Sequence, residues 1–316
     1  MRQAGRYLPE YRQVRQNFKD FMEFCLTPEA VTQVTLQPIE RFDFDAAIIF
    51  CDILIIPHLL GQTVHFIEGE GPRLATVDWK QFLEGAKQQT TLPSLQPVFE
   101  AIRLTRHALP EQKSLIGFCG SPWTIACYML QGGKVGSGLS KNWDSNLIKD
   151  LLVILQKQVV DLLLGQINAG CDVVQIFDSW ASLVPSEQRE EYLWKPLTFI
   201  YNSVRKIHPN LPIIYYGRGV SDAYPDLADH LKGLCFGLDQ SVNPLWAAAH
   251  VQSKSPVQGN LDPISLIEDG FERQTDKILQ AFSSKPFVFN LGHGILPQTP
   301  LDSVYRLVER VRTFKG

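Results

Sequence analysis

Residues 145–178 read SNLIKDLLVILQKQVVDLLLGQINAGCDVVQIFD, and the fold is decided in this stretch. A long helical run opens at Ser145, carries Leu151, Leu152, Leu155, Val159 and Leu162, and is ended by Gly170. Val173–Phe177 then forms a short, almost wholly apolar run rich in β-formers, the pattern of a strand buried on both faces. A helix followed by a doubly buried strand is the repeating unit of a parallel sheet with helical crossovers.

The same unit recurs outward in both directions. Further strand candidates are Ala47–Phe50, Leu115–Phe118, Pro212–Tyr216, Leu234–Leu238, Pro256–Gln258 and Phe287–Asn290. Between them lie helix signals: Thr27 as a cap with Pro28 in the first turn, and Thr299-Pro300 ahead of Val304, Leu307, Val308 and Val311. Gly61–Pro72 reads as a small hairpin inserted after the first strand. Seven strands without a mid-chain linker favour an α/β (β/α)8 TIM barrel over an open sheet, organised as a single domain over residues 1–316. Closure needs eight strands, so the first is expected to be missing from this chain and to precede Met1.

The bulk properties narrow the function classes. With 30 Lys+Arg against 33 Asp+Glu the formal charge is −3, which argues against a nucleic-acid binder driven by general electrostatic attraction. Mean hydropathy is −0.06, and the longest apolar stretch, Ala46 to Leu60, is interrupted by Asp52 and Pro57, too short for a membrane span. Six dispersed cysteines without a CxxC motif read as buried small hydrophobes in a reducing compartment, so a cytoplasmic protein is expected.

In a parallel barrel, reactive groups gather at the C-terminal ends of the strands. Asp52 follows AAIIFC, a carboxylate in an apolar run that is costly to bury ionised without a partner. A helix-capping or loop carboxylate is the structural alternative. Tyr128 stands near a helix start after the Leu115–Phe118 strand candidate, where a core role competes. Ser179 follows the strand ending at Phe177. His293 lies between Gly292 and Gly294, either beside a ligand or simply in a turn. Arg2, Arg6, Arg12 and Arg15 crowd the N-terminus with one acid among them, suiting carboxylate or phosphate recognition, or else a solvated basic segment. GGKVGSG at 132–138 lacks the ending of a phosphate loop and reads as a lid.

MRQAGRYLPEYR at residues 1–12 resembles the signature of the uroporphyrinogen decarboxylase family. AAIIFCDIL at 46–54, GFCGSPWT at 117–124 with Tyr128, QGNLDP at 258–263 and NLGHG at 290–294 extend the resemblance over essentially the whole chain. It implies a (β/α)8 barrel, a homodimer with facing clefts, and decarboxylation of the four acetate arms of uroporphyrinogen III to coproporphyrinogen III without a cofactor or metal. By the same resemblance Arg2, Gln3, Ala4, Gly5 and Arg6 match the loop that binds substrate carboxylates. Asp52 matches the aspartate contacting the pyrrole NH groups, with Asp52 and Arg2 in the catalytic roles. Tyr128, Ser179 and His293 match further substrate contacts. The family ordinarily carries a segment with the first barrel strand ahead of the motif that begins here at Met1.

Two other readings compete. A related barrel family transfers methyl groups from corrinoid proteins and holds zinc through a His-x-Cys pattern, whereas His293 is followed by Gly294 and Ile295 and no cysteine lies beyond Cys235. A degenerate tetrapyrrole-binding protein would be expected to have lost Asp52 or the arginines, and all are present.

Overall fold

The structure is a computed structural model describing residues 5–67, 70–88, 93–133, 135–136, 143–268 and 270–315. In chain order, α1 (Pro9–Arg15), α2 (Phe21–Cys25) and α3 (Pro28–Phe42) precede β1 (Ala46–Ile48) and α4 (Ile55–Leu59). The hairpin β2 (Val64–Ile67) and β3 (Gly71–Leu74) follows, then α5 (Trp79–Gln88), α6 (Gln96–Ala108), β4 (Ser114–Gly120) and α7 (Pro122–Gln131). The second half runs α8 (Ser145–Ala169), β5 (Val173–Asp178), α9 (Lys195–Ile207), β6 (Ile213–Gly217), α10 (Tyr224–His230), β7 (Leu234–Gly237), α11 (Pro244–His250), β8 (Val257–Leu261), α12 (Phe271–Phe282), β9 (Phe287–Leu291) and α13 (Leu301–Thr313).

Seven strands pair in parallel in the order β1-β4-β5-β6-β7-β8-β9, and β2 pairs only with β3, antiparallel. Every strand expected from the sequence is present, as is the inserted hairpin. The sheet curls strongly. From β6, the Tyr216 hydroxyl donates to the Gly292 carbonyl just past β9 at 3.0 Å, across the two intervening strands of the ladder. The helical layer meets on itself. α13 packs on α3, with the Phe42 and Tyr305 rings 4.8 Å apart and Arg312 3.0 Å from Asp43. The strand ladder does not close among the described residues: β1 and β9 stand at its ends with no pairing between them. A cavity of about 440 Å³ remains there, lined by Phe44, Phe287, Phe289, Leu307, Val308 and Val311.

Local chemistry departs from expectation in a few places. Thr27 precedes α3, but its hydroxyl donates back to the Glu23 carbonyl at 2.9 Å instead of capping. α8 does open at Ser145, as expected, and Asp144 before it supplies the cap by accepting from the Asn146 N–H. Gly132, in the proposed lid, takes a left-handed conformation that ends α7. Lys134, Ser137 and Gly138 of that segment lie outside the described residues. All six cysteines are free, five buried and Cys235 half-buried. No helix among the described residues is long and apolar enough to cross a membrane.

Candidate active site

Parallel pairing puts the C-terminal ends of all seven strands on one rim, so the segments following β1, β5 and β9 bring Asp52, Ser179 and His293 to the same end. Tyr128 reaches that end from α7, whose start is set by Ser121 immediately after β4. Arg2, Gln3 and Ala4 lie outside the described residues. Gly5 is described. Its φ of +63° turns the chain so that its carbonyl accepts from Leu8 N–H at 2.8 Å, and a Cβ there would sit 2.8 Å from the Leu8 side chain.

Asp52 has both a loop hydrogen bond and a cationic partner. Its Oδ1 accepts from the Leu54 N–H at 3.0 Å, ordering the turn into α4. Its Oδ2 faces Arg6 Nη2 at 3.4 Å. The Asp52 side chain is 11% exposed, while that of Arg6 is 45% exposed and rests over the Phe21 and Phe50 rings at 5.1 and 5.4 Å. Burial pushes the Asp52 carboxyl above its ordinary range, and the Arg6 charge and the Leu54 and Arg6 hydrogen bonds oppose that shift. A long ion pair with one half-exposed member adds ~0–1 kcal/mol at most to stability. It holds a mostly buried anion at the rim opposite a cation whose outer face is open to solvent.

Tyr128 is half-buried, its ring 6.1 Å from that of Trp180 at a steep 68° angle. Burial raises its phenol, Trp180 opposes that rise, and the Asp52 carboxylate adds to it. Trp180 follows Ser179 directly, so Asp52, Tyr128 and the Ser179 turn form one neighbourhood with Arg6. His293 is half-buried on the far edge strand's rim. Gly292 before it is required sterically, because a Cβ would sit 2.3 Å from the Gln240 backbone nitrogen.

Two features of this neighbourhood lie outside the set of site residues drawn from the sequence, although Asp178 stands at a strand end. The Phe21 ring beneath Arg6 carries no local signal, since it comes from α2 and meets Phe66 of the inserted hairpin at 4.3 Å. Asp178 is 1% exposed and accepts from hydroxyls of Thr124 and Tyr215. Strand alternation placed it opposite Phe177, which was the available clue. Among the described residues, no three His, Cys, Asp or Glu side chains converge as a metal site would need.

Comparison with known proteins supplies the context. The uroporphyrinogen decarboxylase (URO-D) family model matches residues 1–314. A uroporphyrinogen decarboxylase of Chelativorans sp. is 42% identical over 318 residues, spanning 99% of this chain and 92% of the relative. That of Sphingopyxis alaskensis is 43% identical over 321 residues, with the same two coverages. A solved methyltransferase from Methanosarcina mazei superposes with a TM-score of 0.75 at 19% identity, over 95% of this chain and 89% of that one, a likeness of fold alone. A model matched almost end to end, and relatives above 40% identity over nearly the full length, give one conclusion: the chain belongs to the uroporphyrinogen decarboxylase family.

Proposed function

We propose that the chain removes CO2 from the four acetate arms of uroporphyrinogen III to give coproporphyrinogen III, in the rim cleft around Asp52. The observation that carries this reading is the Arg6–Asp52 pair: a mostly buried anion facing a half-exposed cation at 3.4 Å. The substrate carries eight carboxylates on an electron-rich ring system. Arg2 and Arg6 take the carboxylates, Arg6 leaving Asp52 as it does so. The freed Asp52 oxygen accepts the pyrrole NH groups. Protonation of the pyrrole α-carbon next to the one bearing the acetate arm makes a cationic, conjugated iminium ring. CO2 departs as its bond pair forms an exocyclic methylene. That methylene takes up a proton while the α-carbon loses one, leaving a methyl group on the restored pyrrole. The substrate serves as its own electron sink, so the reaction needs no cofactor. Asp52 stabilises the developing cation as a fixed anion, and Arg2 pairs with the reacting carboxylate. Gln3, Ala4 and Gly5 complete the carboxylate loop, and Tyr128, Ser179 and His293 line the substrate.

On this reading residues 1–316 form one barrel domain. The meeting of α13 with α3 supports an eighth-strand place between β1 and β9, where the apolar cavity lies. A C2 homodimer with facing clefts would cover the rim, where Leu245, Ile264 and Ile267 are exposed after β7 and β8. Six free, dispersed cysteines suit a reducing cytoplasm.

The test is anaerobic incubation of the purified chain with uroporphyrinogen III, with the products oxidised and separated by chromatography. Stepwise conversion through seven-, six- and five-carboxyl porphyrins to the four-carboxyl product is expected. Unchanged substrate would overturn the reading.

A further inference from the structure

Asp178 ends β5 and faces away from the cleft. Its neighbour Phe177 meets Phe118 and Tyr216 ring to ring inside the curl, at 5.7 and 6.1 Å. Asp178 lies instead among Pro196, Leu197 and Ile200 of α9 on the helix side of the sheet. At 1% exposure it cannot touch substrate. Its partners are hydroxyls. Thr124 Oγ1 donates to Oδ1 at 2.8 Å and Tyr215 donates to Oδ2 at 3.1 Å. Burying a carboxylate with no cation bonded to it is costly, and the cost shows in a carboxyl pushed up to about 6.

The hydroxyls lead to the cleft. Ser121 and Thr124 open α7, with the Ser121 Oγ accepting from Thr124 N–H at 3.0 Å, and α7 carries Tyr128 one turn further on. Thr124 Oγ1 also accepts from the Trp180 N–H at 3.2 Å, and the Trp123 indole N–H donates to the Trp180 carbonyl at 2.9 Å. The Ser179–Trp180 turn is therefore clamped to α7 from both sides of one residue.

We propose that Asp178 is a positioning residue: acting through Thr124 from behind the strand wall, its carboxylate sets where Tyr128 and the Ser179 turn present themselves to substrate. The proposal rests on the decarboxylase reading for the identity of the substrate. A carboxylate acceptor fixes the Thr124 hydroxyl hydrogen toward Asp178, leaving the oxygen lone pairs for Trp180. The neutral amide introduced by Asp178→Asn would accept through one atom only, and its N–H groups would face donors.

Steady-state kinetics on Asp178→Asn, Thr124→Val, the double variant and Thr124→Ser test the chain of action. Each of the first two is expected to raise KM about tenfold while kcat changes within about threefold, since binding contacts are displaced and Asp52 is not. The double variant is expected to match the worse single one, because both remove the same link. Thr124→Ser retains the hydroxyl and should stay within about twofold of wild type. Normal KM in both single variants, multiplying losses in the double one, or Thr124→Ser as impaired as Thr124→Val would each overturn the proposal. Should Asp178→Asn fail to fold, the Thr124 pair still decides between these outcomes. Wild-type turnover tests the decarboxylase reading separately. If wild type proves inactive, the same ratios are read from dissociation constants for uroporphyrin.

Discussion

Two carboxylates mark the difference between the front and the back of this sheet. Asp52 follows the edge strand β1, keeps 11% of its side chain accessible and faces a guanidinium. Asp178 ends the interior strand β5, is sealed against α9 and meets only hydroxyls. Burial raises both carboxyls. They differ in whether a cation can leave. The Arg6 side chain is half-exposed and can exchange Asp52 for a substrate carboxylate. The hydroxyls around Asp178 are built into α7 and β6 and have nowhere to go. On the proposed reading, placement on the two sides of one wall separates an anion available for chemistry from an anion that fixes geometry.

The largest expected effect is at the front. Asp52→Ala deletes the charge and both pyrrole acceptors, and turnover should fall by at least the roughly hundred- to thousandfold typical of losing one preorganised charge partner. If Asp178→Ala reduced turnover as much as Asp52→Ala, the distinction between the two carboxylates would collapse. Arg6→Ala should act mainly on binding, raising KM by more than it lowers kcat. It also sharpens the comparison through pH. On the proposed mechanism ionised Asp52 is the active form, and its folded-state pKa lies above the ordinary value, so kcat/KM should fall as pH drops through that raised value. Arg6 is an opposing influence that lowers it. Removing Arg6 should therefore shift the acid limb of kcat/KM to higher pH, and an unmoved limb would separate Arg6 from Asp52.

At the back, the sign for stability is clear. The Asp178 carboxyl is raised to about 6 in the folded protein, so the folded state holds its proton more tightly than the unfolded chain does. Stability linked to this group is full below the unfolded pKa and is lost as pH rises through about 6, by roughly 3 kcal/mol. Asp178→Asn should flatten this dependence, so that its urea midpoint no longer falls as pH rises through about 6. A midpoint that still fell there would contradict this linkage. The smallest effect concerns the rim. Leu245, 71% exposed, should tolerate exchange for Glu without loss of folding, while sedimentation shifts from dimer toward monomer. A monomeric wild type would refute the dimer.

Much of this was legible in the residues. Doubly buried strands are continuous apolar runs, so β4 to β9 stood out wherever five or so such residues followed a helix stop. β1 was expected over Ala47–Phe50 but is laddered over Ala46–Ile48, because β4 alone pairs with it. β8 runs on to Leu261, past the expected Gln258, with the Asn260 side chain donating to the Asp239 and Val242 carbonyls. Asp52 was legible because a charge within an apolar run demands a partner. That partner was not, since Arg6 lies 46 residues away and is held in place by aromatic rings of α2 and the β1 end. The role of Asp178 was hidden for a similar reason. Its position at a strand end marks it for the rim, and only the pleat, which turns it away from Phe177, reveals that it faces the helices.

The most direct measurement is turnover and product binding of Asp52→Asn, which retains the side-chain shape and one acceptor while deleting the charge. The expected result is a loss of ~3–4 kcal/mol in transition-state stabilisation, about a hundred- to thousandfold in kcat. Affinity for coproporphyrinogen should change far less, because Arg2 and Arg6 still hold the carboxylates. An Asp52→Asn enzyme with near-normal turnover would contradict the role of Asp52 as the anion that stabilises the protonated pyrrole.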